Sequence, residues 1–145
     1  MNNLVEGRVR FIGKVTYLEG EHTNVDIFPE FVDGLYKIVD YSHLIILYWF
    51  HQRDNDKDRS VLHVIPKRHP GAPEVGVFAS RSPSRPNPIG LCVVEVIRIE
   101  GYTLTLKGLD AIEGSPIIDI KPYLPRVDLI LNAKTPEWYN VCPSS

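Results

Sequence analysis

A small antiparallel β-barrel is the fold this sequence predicts, and three observations predict it. Short alternating or solidly apolar segments recur along the 145 residues, and an alternation of period two is the mark of a half-buried strand. Twelve prolines and ten glycines punctuate the chain, so the segments are separated by turns rather than by long connections. No stretch carries a sustained 3.6-residue apolar period, so no long amphipathic helix is expected. Many short strands in one small domain leave exposed edges, and closing the sheet removes them. The expected class is therefore mainly all-β: a closed or nearly closed antiparallel barrel with short helical turns.

The elements follow in order. Arg8 to Tyr17 alternates, with Val9, Phe11, Gly13, Val15 and Tyr17 on one face, which predicts a first strand. Thr23 to Phe28 alternates more weakly and is a second strand, stopped by Pro29. Glu30 to Asp40 reads as a turn with at most a short helix. Leu44 to Phe50 is apolar throughout and rich in β-branched and aromatic residues, which predicts a strand buried on both faces. Gln52 to Ser60 is polar and reads as a loop. Val61 to Ile65 and Val75 to Ala79 are short strands flanking the basic loop Lys67 to Pro73. Leu91 to Ile99 and Tyr102 to Leu106 form a hairpin through Glu100-Gly101, with glycine second. Ile117 to Ile120, between Pro116 and Pro122, is the last strand, and beyond Pro125 the pattern fades.

The chain length suits one domain with a proper core, here residues 1–130, followed by a tail over 131–145. The longest apolar run, Leu44 to Phe50, is too short to cross a bilayer. The first residues, Met1 to Glu6, lack the basic and apolar regions of a signal peptide. A soluble, cytoplasmic protein is expected, with Cys92 and Cys142 as reduced thiols. The net charge of −2 argues against a generic nucleic-acid binder. The balance is uneven, however. Between Arg53 and Arg85 seven Lys/Arg face four Asp/Glu, a local +3 that leaves −5 elsewhere. Such a region suits a phosphate-bearing partner, and it equally suits a loop charged for solubility.

The stretch Ser80-Arg81-Ser82-Pro83-Ser84-Arg85-Pro86-Asn87-Pro88-Ile89-Gly90-Leu91 carries the most chemistry. Its prolines fix their own φ and bias Ser82, Arg85 and Asn87 toward extended backbone. A stiff loop loses little entropy when it binds, and Arg81 and Arg85 supply planar, permanently charged forks. The plainer alternative is a proline-rich turn with its arginines in water. No G-x-G-x-x-G follows a strand and strands do not alternate with helices, which argues against a Rossmann-type nucleotide fold. The histidines and cysteines lack metal-ligand spacing, so no metal is expected. No G-x-S-x-G elbow supports a hydrolase at Ser80 or Ser82.

This loop resembles the signature of the TrmO (TsaA-like, YaeB-like) family. The resemblance continues in Ile27-Phe28-Pro29-Glu30-Phe31, Asp33-Gly34-Leu35, Ser42-His43-Leu44, Tyr48-Trp49-Phe50-His51, Gly108-Leu109-Asp110, Gly114-Ser115-Pro116 and Asp119-Ile120-Lys121-Pro122-Tyr123. It spans about Phe11 to Pro125. It implies a β-barrel that uses S-adenosyl-L-methionine to methylate N6 of a threonylcarbamoyl-modified adenosine beside the tRNA anticodon, as a homodimer with no membrane role. It further implies that His51, Gln52, Arg81, Leu91 and the segment Ile118, Asp119, Ile120, Lys121 line the cofactor site. Arg85 and Asn87 then face the substrate, and Asp119, Asn87 and Lys121 are the candidate catalytic groups. Each has a plainer alternative: a hydrogen-bonded rim histidine at His51, a brace at Asn87, and a surface ion pair at Asp119 and Lys121, one residue apart on a strand face, worth at most about 1 kcal/mol. Phe28, Tyr48, Trp49 and Tyr123 are candidate stacking platforms or core. Two departures from the family are expected: no counterpart of the second, C-terminal domain found in many members, and a loop, Leu18-Glu19-Gly20-Glu21-His22, that is short and acidic where members often carry a longer basic one. A methyltransferase with another acceptor, and a non-catalytic nucleotide- or RNA-binding barrel, therefore stay open.

Overall fold

The structure, a computed structural model, describes residues 4–140. Met1 to Asn3 and the last five residues of the tail, Cys142 among them, lie outside the described residues. Two compact units are distinguished. The first takes the chain up to Trp49 together with Gly90–Tyr123; the second takes Phe50–Ile89 and the chain from Leu124 onward.

The first unit is built on six strands: β1 (Gly13–Glu19), β2 (His22–Ile27), β3 (His43–Trp49), β6 (Ile89–Glu100), β7 (Thr103–Lys107) and β8 (Pro116–Pro122). They close into a ring in the order β1-β2-β7-β6-β3-β8, with antiparallel pairing. The expected all-β class is therefore observed. Every one of these strands has neighbours on both sides, which is the protection of edges that the sequence called for. Alternate residues fill the interior: Val15, Val25, Ile27, Leu44, Ile46, Tyr48, Val94, Leu104, Leu106 and Ile117 are buried. The link between β2 and β3 is two 3₁₀ turns, Pro29–Leu35 and Ile38–Asp40, in keeping with the expected turn.

Irregularities in the ladder decide where side chains point. β1 begins at Gly13, later than Arg8, and its register shifts between Val15 and Tyr17. An extra residue in a strand reverses the facing of everything beyond it. Gly13 and Val15 are buried as expected, but Tyr17 is 52% exposed. A second shift, between Leu47 and Tyr48, pairs Tyr48 with Ile117 and Leu47 with Asp119, leaving Ile118 as the extra residue of β8. Strict alternation from the buried Ile117 would have sent Asp119 and Lys121 inward. The bulge sends them outward instead, opposite Leu47 and Ile45. β3 is buried on one face only, because Ile45, Leu47 and Trp49 are half-buried. The β6–β7 link is Gly101-Tyr102, with glycine first: Glu100 pairs with Thr103 and Gly101 has φ 62°.

The second unit holds less regular structure. β4 (His63–Val64) and β5 (Val75–Gly76) pair as a two-residue ladder, shorter than the strands expected over 61–65 and 75–79. Val77–Ala79 is a 3₁₀ turn. The segment expected to be a loop, 52–60, contains a 3₁₀ turn at His51–Arg53 and the helix α1 (Asp56–Arg59). Asn55 caps α1, its side chain accepting from the Asp58 amide at 2.8 Å. Downstream, α2 (Pro125–Asp128) is a single exposed turn, and the tail turn Glu137–Asn140 places Tyr139 stacked on His69, ring centroids 4.8 Å apart. Among the described residues no helix is long and apolar enough to cross a membrane.

Candidate functional site

In the second unit, the arginine loop is held by its own side chains. Ser80 Oγ accepts the amide of Ser82, and Ser82 Oγ accepts the amide of Ser84, both at 3.3 Å. These serine turns replace the backbone pairing that Pro83, Pro86 and Pro88 cannot make. Arg85 folds back over them: its NH1 donates to the carbonyls of Ser80 and Ser82, each at 3.0 Å. A guanidinium expected to face a partner is thus engaged by its own loop. Arg81 differs. It is exposed and makes no hydrogen bond or ion pair among the described residues, so all five of its donors remain available. Asn87 is exposed, with Oδ1 at 3.5 Å from Arg59 NH2, and its carbonyl accepts the amide of Ile89 at 2.7 Å.

The turn before α1 carries His51, half-buried, and Gln52, exposed. Neither side chain makes a hydrogen bond among the described residues, so the alternative of a hydrogen-bonded rim histidine is not what is seen. The next residues reach the arginine loop. Asp58 Oδ1 accepts from Ser84 Oγ at 2.7 Å and from Arg53 NH1 at 3.3 Å, while Oδ2 accepts from Asn55 Nδ2 at 2.8 Å. The hydrogen bond from Ser84 holds the Asp58 carboxyl below its ordinary value of 3.8, with Asn55 and Arg53 adding to it. Arg59 donates through Nε to the Pro86 carbonyl at 2.8 Å and through NH1 to Asp54 at 2.9 Å.

In the first unit, Leu91 points outward from β6 and is 44% exposed. On β8, Lys121 Nζ lies 3.3 Å from Asp119 Oδ2, both side chains largely in solvent. The ion pair anticipated from their spacing is therefore formed. Asp119 Oδ1 accepts the Ile120 amide at 2.9 Å. Asp119 and Ile120 line a cavity of about 210 Å³ with Phe31, Leu35 and Ile38. Ile120 also borders a neighbouring one of about 320 Å³ with Tyr36, Lys37 and Tyr41. Of the aromatic candidates, Tyr48 is core, its hydroxyl donating to the Asp110 carbonyl at 2.6 Å. Phe28, Trp49 and Tyr123 are half-buried. Cys92, also half-buried, accepts the Asp110 amide through its sulfur at 3.4 Å.

The sequence reading missed Asn55, Asp58 and Arg59. A signal was present: Asn55 three residues before Asp58, the spacing at which an Asn side chain caps a helix.

Comparison with known proteins places these features in context. Residues 14–129 match the family described as the tRNA-methyltransferase O N-terminal domain. An S-adenosyl-L-methionine-binding protein of Archaeoglobus fulgidus is 50% identical over 109 residues, covering 74% of this chain and 73% of that one. A second protein of that organism is 48% identical over 114 residues, 79% of this chain but 30% of its own length. Among solved structures, TrmO from Pseudomonas aeruginosa superposes with a TM-score of 0.71 at 27% identity, covering 93% of this chain and 62% of that one. The chain thus spans less than two thirds of the TrmO protein it matches.

Proposed function

The chain belongs to the tRNA-methyltransferase O N-terminal domain family, and from that premise we propose that it is an S-adenosyl-L-methionine-dependent methyltransferase. Its acceptor is N6 of a threonylcarbamoyl-modified adenosine next to the tRNA anticodon, and it works as a cytoplasmic homodimer. The observation that carries this reading is the family match over residues 14–129. The name of the Archaeoglobus fulgidus relative supports the cofactor.

Each proposed residue has chemistry that such a donor needs. Its methionine carboxylate needs planar N–H donors, and Arg81 offers an unengaged guanidinium. Its ammonium and ribose hydroxyls need acceptors, and Asp119 presents a half-exposed carboxylate. Leu91 supplies apolar cover, exposed on β6. His51 and Gln52 add ring and amide groups with no hydrogen-bond partner of their own among the described residues.

The donor, when bound, supplies a methyl group already activated by its positive sulfur. What remains for the protein is placement and electrostatics. Asn87 holds an edge of the acceptor base, and Arg85 keeps the loop that carries it in shape. Asp119 takes the proton lost from N6, with the Lys121 ammonium 3.3 Å from its carboxylate. The test is calorimetry with S-adenosyl-L-methionine. Binding that is lost in Arg81→Ala is the expected result, and no heat from the wild-type protein would end the methyltransferase reading.

A second reading keeps the donor and changes the acceptor. It is favoured by the tight acidic turn between β1 and β2, where Glu19 and Glu21 flank Gly20 at φ 60°. It predicts donor binding with no effect on the methylated threonylcarbamoyl nucleoside.

A further inference from the structure

The arginine loop has an unusual mechanical problem. Pro83, Pro86 and Pro88 carry no N–H, so few of its backbone groups can be fastened by a neighbouring strand. The serine turns and Arg85 stiffen it internally, but internal bonds fix only its shape. They do not fix where the loop sits on the rest of its unit. One end is fixed where the buried Pro88 carbonyl accepts the Phe50 amide at 2.7 Å; the middle is fastened by a short stretch almost thirty residues earlier in the chain, Arg53 to Arg59, within the polar segment 52–60 expected to be a loop.

Two consecutive residues of α1 do the fastening with opposite chemistry. Asp58 accepts, taking the Ser84 hydroxyl at 2.7 Å. Arg59 donates, reaching the Pro86 carbonyl at 2.8 Å and the Asn87 side chain at 3.5 Å. The loop is therefore pinned on both sides of Arg85. Each pinning group is itself held. Asp58 is gripped by Asn55 at 2.8 Å and Arg53 at 3.3 Å, and Arg59 by Asp54 at 2.9 Å. The Asn55 cap sets the direction of α1, and with it the direction in which Asp58 points. Arg53 reaches Ser84 as well, at 3.4 Å. Charge is balanced throughout, so neither Asp58 nor Arg59 is left as an isolated ion.

We propose that Arg53–Arg59 is a clasp on the arginine loop, in which Asp58 and Arg59 are positioning residues that set the pose of Arg81 and Asn87 for substrate. The positioning role rests on the methyltransferase reading above; the clasp itself does not. A loop with its ends fixed and its middle unpinned would sample several poses, and only a fraction of the molecules would be competent to bind. Fastening Ser84 and Pro86 removes that loss before the substrate arrives.

The experiment uses the full chain and four variants: Ser84→Ala, Ser84→Thr, Arg59→Met and, as a control on the same helix, Lys57→Ala. Hydrogen exchange of the free protein is read at the hydrogen-bonded amides of Ser82 and Ser84. Ser84→Ala and Arg59→Met are expected to speed exchange there by about tenfold, the effect of losing one hydrogen bond to a charged group. Ser84→Thr, which keeps the hydroxyl, is expected to restore protection, and Lys57→Ala to leave it unchanged. S-adenosyl-L-methionine affinity and the KM for tRNA are then expected to worsen in the same two variants, with kcat little changed. Exchange that stays at the wild-type level in Ser84→Ala and Arg59→Met overturns the clasp. Faster exchange with unaltered affinity and KM overturns the positioning role. If the wild-type protein binds no donor, the methyltransferase reading falls and the positioning role falls with it, while the exchange measurement still decides whether the clasp exists.

Discussion

Arg85 is the residue at which two ideas of the loop make opposite predictions. A basic side chain in a proline-rich loop reads as a phosphate contact, yet its NH1 is bonded to two carbonyls of its own loop, at 3.0 Å each. Substitution by alanine removes both bonds and strands the Ser80 and Ser82 carbonyls. A bond between a charged donor and a carbonyl contributes about 1.5–3 kcal/mol. The two here share one nitrogen on a half-buried side chain, so about 2 kcal/mol for the pair is the appropriate scale. That shifts the equilibrium for loop opening by about thirtyfold. Hydrogen exchange followed by mass spectrometry over residues 80–89 reads this directly at the hydrogen-bonded amides of Ser82 and Ser84. In Arg85→Ala those amides are expected to exchange about thirtyfold faster in the protein alone, with no ligand present. Unchanged exchange together with weaker tRNA binding would refute the reasoning and return Arg85 to a direct contact.

Three further outcomes are expected. Gly13→Ala should lower the thermal midpoint, since a Cβ there would sit 2.4 Å from the Asp26 carbonyl oxygen and force β1 from β2 at about 1–3 kcal/mol; an unchanged midpoint would show the strands have slack. Tyr48→Phe should cost about 1–2 kcal/mol in urea unfolding, because the buried hydroxyl donates to Asp110 at 2.6 Å. The carboxyl of Asp58 is held below its ordinary value of 3.8, first by the Ser84 hydroxyl; its contribution to loop protection is therefore fully present above that value and is lost as pH falls through the lower folded value. Exchange at Ser84 measured from neutral to acid pH, and corrected for the intrinsic rate, should show protection surviving past that value, and Asp58→Asn should flatten the curve.

Much of this architecture can be read from residues. Leu44, Ile46 and Tyr48 announce a strand, and the proline and glycine spacing announces turns on every side of it. The family motifs, taken together, reach the right fold. What alternation cannot give is the place of an inserted residue. One bulge after Val15 turns Tyr17 outward, and another at Ile118 turns Asp119 and Lys121 outward. Both depend on how two strands share hydrogen bonds, which no single strand encodes. Arg81 and Arg85 look alike in sequence, four residues apart on one stiff loop. Their difference arises because the chain path brings two carbonyls beneath one of them. Asn55, Asp58 and Arg59 passed as solvated polar residues because their partners, Ser84 and Pro86, are distant in the chain.

The most direct test of the proposed function is the nucleoside content of tRNA from cells lacking this chain, measured by mass spectrometry. Loss of the N6-methylated threonylcarbamoyl nucleoside, with its unmethylated precursor accumulating and both restored by the wild-type gene but not by Arg81→Ala, is the predicted result. An unchanged level of the methylated nucleoside would contradict the account.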